Sequence, residues 1–217
     1  MKYFAIREAV DTKEVGQVFP QTDGLEGSDT FKSETSFSAF HHHGFPVDFQ
    51  NRQIIKIHHS TNLTDFISTA IISAHGFIVS GKLKELLQKF ELIDSRFYNI
   101  QLKYKGNVSH DYYWFHMFWQ DKYACLDFHA SKFELRRASK HLGEIKINSS
   151  EELWKKIDES RPNLIKPVEL VIKSPKKDFF YSPVGIEKIV SERLISEFER
   201  KKITGYALRE LTNIKII

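Results

Sequence analysis

Cysteine is nearly missing from the chain: Cys125 is the single thiol in 217 residues. That excludes an internal disulfide framework and any zinc site built mainly on cysteine, and it suits a reducing compartment. Long apolar runs are missing too. The best candidate, residues 66–79, is interrupted by Ser68, Ser73, His75 and Gly76 and is too short to span a bilayer. The stretch Met1 to Glu8 lacks the uninterrupted apolar core of a secretory signal. A cytoplasmic protein without a membrane partner is therefore expected. Strong charge of one sign is also absent. Lys and Arg number 32 against 28 Asp and Glu, so the formal charge is +4, and the signs are interspersed along the chain. This balance does not call for nucleic acid as a partner. With 41% hydrophobic and 28% charged residues, the chain has the composition of a folded domain rather than a disordered one.

What is present reads as many short strands and few helices. Tyr3 to Ile6, Val15 to Phe19 and Gln53 to Ile57 are strand candidates, separated by the polar, turn-rich run Gln21 to Ser33. Leu83, Leu86, Leu87 and Phe90 then follow the i, i+3, i+4, i+7 spacing of one helix face, with Ser80 placed to cap it. Arg96 to Tyr104 alternates as a half-buried strand. Asp111 to Trp119 and Tyr123 to Phe133 read as a strand pair, followed by a charged connection, Glu134 to Lys146. Ser149 or Ser150 before Glu151 and Glu152 marks a helix start, with Leu153, Trp154 and Ile157 as its stripe. Leu164 to Ile172, Phe179 to Tyr181 and Tyr206 to Ile217 are further strands, and Val184 to Lys201 is mostly helical. The expected class is α+β, mainly antiparallel sheet with a few packed amphipathic helices. Residues 1–60 form a β-rich N-terminal region, either separate or part of the same domain, and 61–217 the main α+β domain. One short pattern occurs twice: Ile78-Val79-Ser80-Gly81-Lys82-Leu83 and Ile189-Val190-Ser191-Glu192-Arg193-Leu194. It reads either as a true repeat or as shared helix-start chemistry.

Three constellations bear on chemistry. His41-His42-His43, with His58-His59, offers imidazoles, but adjacent strand residues point to alternating faces and cannot simply converge on one ion. No metal site is expected. Cys125, Asp127, His129 and Ser131 would share one face of a regular strand and contain the ingredients of nucleophilic catalysis. Residues two apart lie roughly 7 Å from each other on a strand, too far for a direct relay. No nucleophile elbow accompanies them, so Asp127 and Ser131 read better as turn or helix caps. No catalytic residue is assigned. The aromatic strand at residues 112–119, flanked by Lys103, Lys105 and Lys122, resembles a base-stacking platform but lacks the ribonucleoprotein signatures. Aromatics packed into a sheet explain most of it, while Tyr112, Trp114 and Trp119 are candidates for a partner-binding patch. With no Walker loop or dinucleotide glycine fingerprint, no cofactor is expected.

Thr64-Asp65-Phe66-Ile67, followed by Phe77 to Leu87, resembles the central signature of the bacterial polymorphic-toxin immunity family numbered eleven, which contains the myxobacterial-type immunity domain. Leu126-Asp127 with Ser131 is similar to a further segment of that family. Ile189 to Leu194, followed by Ile203-Thr204-Gly205-Tyr206, resembles its closing helix and Thr-Gly strand entry. The resemblance covers approximately Thr61 to Leu211, and the first sixty residues contribute almost nothing to it. It implies a protein that protects the producing cell from a cognate toxin or effector by stoichiometric binding, without catalysis. The alternatives are an enzyme using the Cys125/Asp127/His129 face and a nucleic-acid-binding module using strand 112–119. The oligomeric state and the toxin's chemistry are left open by these motifs.

Overall fold

The computed structural model describes residues 2–27, 44–45, 53–70, 76–118, 123–173, 176–184 and 187–217. In chain order these residues form β1 (Tyr3–Glu8), α1 (Thr12–Val15), β2 (Thr22–Glu26), β3 (Ile54–Ile57), β4 (Phe66–Ile67), β5 (Phe77–Ser80) and α2 (Gly81–Leu87). There follow β6 (Ser95–Tyr104), β7 (Asn107–Met117), β8 (Lys132–Arg137), β9 (Lys140–Ile145), α3 (Ser150–Ser160) and β10 (Leu164–Ile172). The chain closes with β11 (Phe179–Tyr181), β12 (Lys188–Ser191), α4 (Glu192–Arg200), β13 (Tyr206–Glu210) and β14 (Ile214–Ile216). Three sheets result, ordered β11-β12-β1-β13, β14-β10-β8-β9 and β2-β3-β6-β7-β5-β4. Most pairings are antiparallel, and only β3–β6 and β10–β14 are parallel among the named strands. The class is α+β and rich in sheet.

The duplicated hexapeptide marks a much larger correspondence. Ser80 ends β5 and caps α2, its Oγ accepting a hydrogen bond from the Leu83 amide at 3.2 Å. Ser191 ends β12 and caps α4 through the Leu194 amide at the same 3.2 Å. Each hydroxyl donates to a buried aspartate, Ser80 to Asp65 at 2.5 Å and Ser191 to Asp178 at 2.6 Å. Each aspartate leads into the strand paired with its serine's strand, so Phe66 faces Val79 and Phe179 faces Val190. Two residues after each serine, a cation returns to the same carboxylate: Lys82 at 3.5 Å from Asp65, and Arg193 on Asp178.

The neighbouring strands match as well. β4-β5-β7-β6 and β11-β12-β1-β13 run in the same antiparallel order, with Ser80 opposite Tyr112 and Ser191 opposite Tyr3. Even the strand exits agree: Phe118 N donates to Asp94 O at 2.8 Å and Ala9 N to Gly205 O at 2.9 Å. The second copy is permuted. The strand equivalent to β7, which follows β6 in the first copy, is β1, at the far end of the chain from its partners. The two copies also clasp each other crosswise. The segment after α4 gives the Thr204 amide to Asp65 at 2.9 Å, and the segment after α2 gives the Glu91 amide to Asp178 at 3.1 Å. Rings close the seam between them, Phe66 on Phe198 at 5.6 Å and Phe77 on Phe179 at 6.0 Å between centroids. Burying each such ring contributes about 1.5–3 kcal/mol. Ser80→Ala and Ser191→Ala are each expected to cost about 1–3 kcal/mol, since a cap and a hydrogen bond to a buried carboxylate are lost together. Urea unfolding measures this, and an unchanged midpoint in either variant would rule out the clasp as a stabilising device.

Several local expectations are revised. In place of a strand at Val15 to Phe19, Asp11 accepts the Lys13 amide at 2.8 Å and starts the helical turn α1. Gly16 ends it at φ +89°, where a Cβ would sit 2.5 Å from the Thr61 Cα. Part of the polar run after residue 21 is strand β2. The segment expected as a strand from Tyr123 to Phe133 is mostly turns, while the expected charged connection, Glu134 to Lys146, falls largely in the β8–β9 hairpin. Residues 188–191 are strand rather than helix, and the expected terminal strand is two strands in different sheets. Residues 1–60 supply β1 to one sheet and β2–β3 to another; β1 and β3 pair with strands from beyond residue 60, and β2 pairs with β3.

Candidate functional site

The aromatic strand β7 faces apolar clusters on both sides. Phe115 and Met117 belong to the cluster that joins the two copies, whereas Trp114 joins Ile55, Ile67, Ile78, Ile100 and Leu102 on the opposite face. Trp114 is 1% exposed and stacked on His116, with centroids 4.4 Å apart. It therefore gives a partner no surface, which corrects the expectation made from residue type alone. Tyr112 is half-buried. Burial, reinforced by Asp65 and Asp111, pushes its hydroxyl up to about 12, so it stays a donor, and it donates to Thr64 O at 3.3 Å. Trp119 lies outside the described residues.

Cys125, Asp127 and His129 do not line up on a strand, because Asp127 turns the chain. Its Oδ1 accepts the amides of His129 and Ala130, each at 3.1 Å, and Ser131 Oγ donates to its carbonyl at 2.6 Å. The Ala130 amide, then Lys173 at 3.6 Å and the His129 amide, hold the Asp127 carboxyl below the usual range. A carboxylate so committed is a turn anchor and a poor base at neutral pH. Among the described residues no group of three potential metal ligands converges. His58 and His59 stack on each other at 4.5 Å, and His41 to His43 lie outside the described residues.

Among the described residues, Asp65 and Asp178 are the buried acids; Asp65 stands in the Thr64-Asp65-Phe66-Ile67 motif, but the motifs neither single out Asp178 nor tie either acid to its serine. The signal was available: Asp-Phe followed by an apolar residue stands 15 residues before Ser80 and 13 before Ser191. For Asp178, burial pushes the carboxyl up, but the Arg193 guanidinium, the Ser191 hydroxyl and the Glu91 amide outweigh it and hold it below its ordinary value. Asp65 is met by Ser80, Thr204 and Lys82. Both serines are spent on capping, so these pairs are clasps and not activated nucleophiles.

The surface tells more. Among the described residues, Leu142, Trp154, Leu164 and Val168 are exposed at 43%, 53%, 54% and 47%, and all four lie between β8 and the end of β10. This unit is inserted between the two copies and belongs to neither. Ser149 caps α3 by accepting a hydrogen bond from the Glu152 amide at 3.2 Å, and the Glu152 carboxylate accepts from the Asn148 amide at 2.8 Å, one residue ahead of the cap. The capped helix buries Leu153 and leaves Trp154 outside, edge-on to Tyr123 at 6.4 Å, with Phe128 beyond it. An indole held by packing yet open to solvent has the character of an interface anchor.

No curated protein matches the chain. A family match, by contrast, runs over residues 3–213, so it begins at β1 rather than near residue 61, as the motifs alone suggested. The strands and motifs of both copies lie inside that span. The chain belongs to the immunity protein family Imm11, and its role is in immunity to a toxin.

Proposed function

We propose that the protein neutralises a cognate bacterial toxin or effector in the cytoplasm by stoichiometric binding, with no turnover of substrate. The observation that carries this reading is the exposed Trp154, set beside Tyr123 and Phe128 on the inserted unit. Family membership supplies the class of partner, and Trp154 supplies an anchor able to hold it. Asp127 and Ser131, two of the groups that suggested catalysis, are occupied in a turn, which favours recognition as the role of the surface. Protection of this kind needs little free toxin, and each 1.4 kcal/mol of binding brings another tenfold.

The test is to recover the complex from the producing bacterium, identify the bound protein and ask whether it arrests growth unless this protein is co-expressed. A toxic partner rescued at one-to-one stoichiometry supports the reading, and a toxin degraded or modified by catalytic amounts of this protein refutes it. Trp154→Ala is expected to weaken the complex by about 2 kcal/mol, roughly 30-fold, as loss of a central aromatic anchor does. Because the side chain is half exposed, the melting temperature should change little. Titration calorimetry with the toxin checks the first statement, and equal affinities would remove Trp154 from the interface.

A further inference from the structure

The outer face of the β14-β10-β8-β9 sheet carries a charge arrangement that the sequence count hides. Cross-strand register sets Leu164 opposite Arg136, Lys166 opposite Glu134, and Glu169 opposite Lys132. Directly opposed residues share a face, and ion pairs tie this one together. Glu169 lies between Lys215 at 2.7 Å and Lys132 at 3.9 Å, and Glu134 between His141 at 2.7 Å and Arg136 at 3.3 Å. The carboxylates are recessed: the Glu134 and Glu169 side chains are 18% and 27% exposed, against 66% for Lys132 and 67% for Lys215. Lys166 is also exposed, and Leu164 stands open at the end of the row. Antiparallel pairs such as β10–β8 and β8–β9 commonly face water on one side. Glu144, opposite Glu134 on β9, is exposed, but the two acids held in ion pairs are sunk beneath their cations, so over β14, β10 and β8 an approaching molecule meets lysines around an apolar residue.

We propose that this face docks an acidic protein surface on the toxin, its lysines steering the approach and Leu164 making contact once docked. The proposal rests on the immunity reading above. Electrostatic complementarity of this kind acts chiefly on the rate of association and makes it salt-dependent.

The experiment compares Lys132→Glu/Lys166→Glu/Lys215→Glu with a control of equal charge change elsewhere, Lys13→Glu/Lys105→Glu/Lys201→Glu, by stopped-flow association with the purified toxin. The first variant is expected to associate at least about tenfold more slowly than the control at low salt, with the gap closing as salt rises. Reversal places new carboxylates beside Glu169, so the neutral variant Lys132→Gln/Lys166→Gln/Lys215→Gln serves if the first does not fold, with a smaller loss of the same sign. Equal rates for the face and control variants, while the wild type still neutralises its toxin, overturn the docking face and leave the immunity reading intact. A wild type that binds no toxin overturns both. Tight binding of a single-stranded or duplex oligonucleotide that the face variant abolishes assigns the lysines to nucleic acid and also overturns the proposal.

Discussion

A chain lacking residues 1–8 is expected to remain unfolded. β1 lies between β12 and β13 and pairs with both, Tyr3 with Ser191 on one side and Glu8 with Tyr206 on the other. Its loss strips the ladder from two strands at once and removes the buried side chains of Tyr3, Ala5 and Ile6. It also takes away Glu8, which lies 3.8 Å from the Lys188 ammonium. Burial pushes that ammonium's pKa down, and Glu8 opposes the shift. Lys188 would then be left over the Phe77 ring at 4.0 Å without its carboxylate. Two large side chains at about 1.5–3 kcal/mol each, together with a broken ion pair of about 3–5 kcal/mol, approach or exceed the 5–15 kcal/mol by which domains are usually stable. Circular dichroism and proteolysis of the truncated chain measure this. A cooperative melt near that of the full chain would show that the C-terminal copy closes without β1. Recovery on adding a peptide of residues 1–10 would confirm that only the strand was missing.

Asp178→Ala is expected to cost about 3–5 kcal/mol, the magnitude found when one partner of a buried charged network is removed. The side chain is 2% exposed, and the Ser191 hydroxyl, the Glu91 amide and the Arg193 guanidinium all donate to it. Of these donors Arg193, itself 57% exposed, can turn to water, whereas Ser191 is fully buried. The pH dependence carries a definite sign. The folded-state pKa lies below the unfolded value of about 3.9, so the carboxylate's contribution is complete above that value and is lost as the pH falls through the folded pKa. Denaturation of wild type and Asp178→Asn should therefore differ at pH 7 and converge below about pH 4. A gap that persists undiminished to pH 2 would mean that the asparagine is penalised by shape and not by charge.

How far these features were legible from residues alone varies with the physics involved. Ser80 and Ser191 announced their helices because capping is local: the hydroxyl, the amide three residues on and the apolar stripe all lie within one short window. The matching aspartates were harder to see, since their spacing to the serines differs between copies and the serine–aspartate bond depends on a strand pairing. The permuted strand was harder still. Tyr3-Phe4-Ala5-Ile6 and Tyr112-Tyr113-Trp114-Phe115 are equivalent in place, yet they stand at opposite ends of their copies. Asp127 misled because alternation around it imitates a strand while its carboxylate binds the next amides and turns the chain. The β8–β9 hairpin was mistaken for a connection because its charged residues, such as Glu134 and Arg136, lie on the outer face. Trp114 misled because a strand in the middle of a six-stranded sheet can be apolar on both faces, and residue type alone does not tell an anchor from a core residue.

The permutation also sets the order of events at the ribosome. Tyr3 is made before its partner Ser191, which emerges 188 residues later, roughly 10–40 s at elongation rates of about 5–20 residues per second. Through that interval the first copy can assemble from contiguous chain, while the leading strand waits with both edges unmatched. The β11-β12-β1-β13 sheet closes around a strand made long before its partners, so a translation product arrested ahead of β12 cannot complete it. Immunity therefore lags behind the message by at least the time needed to reach β13.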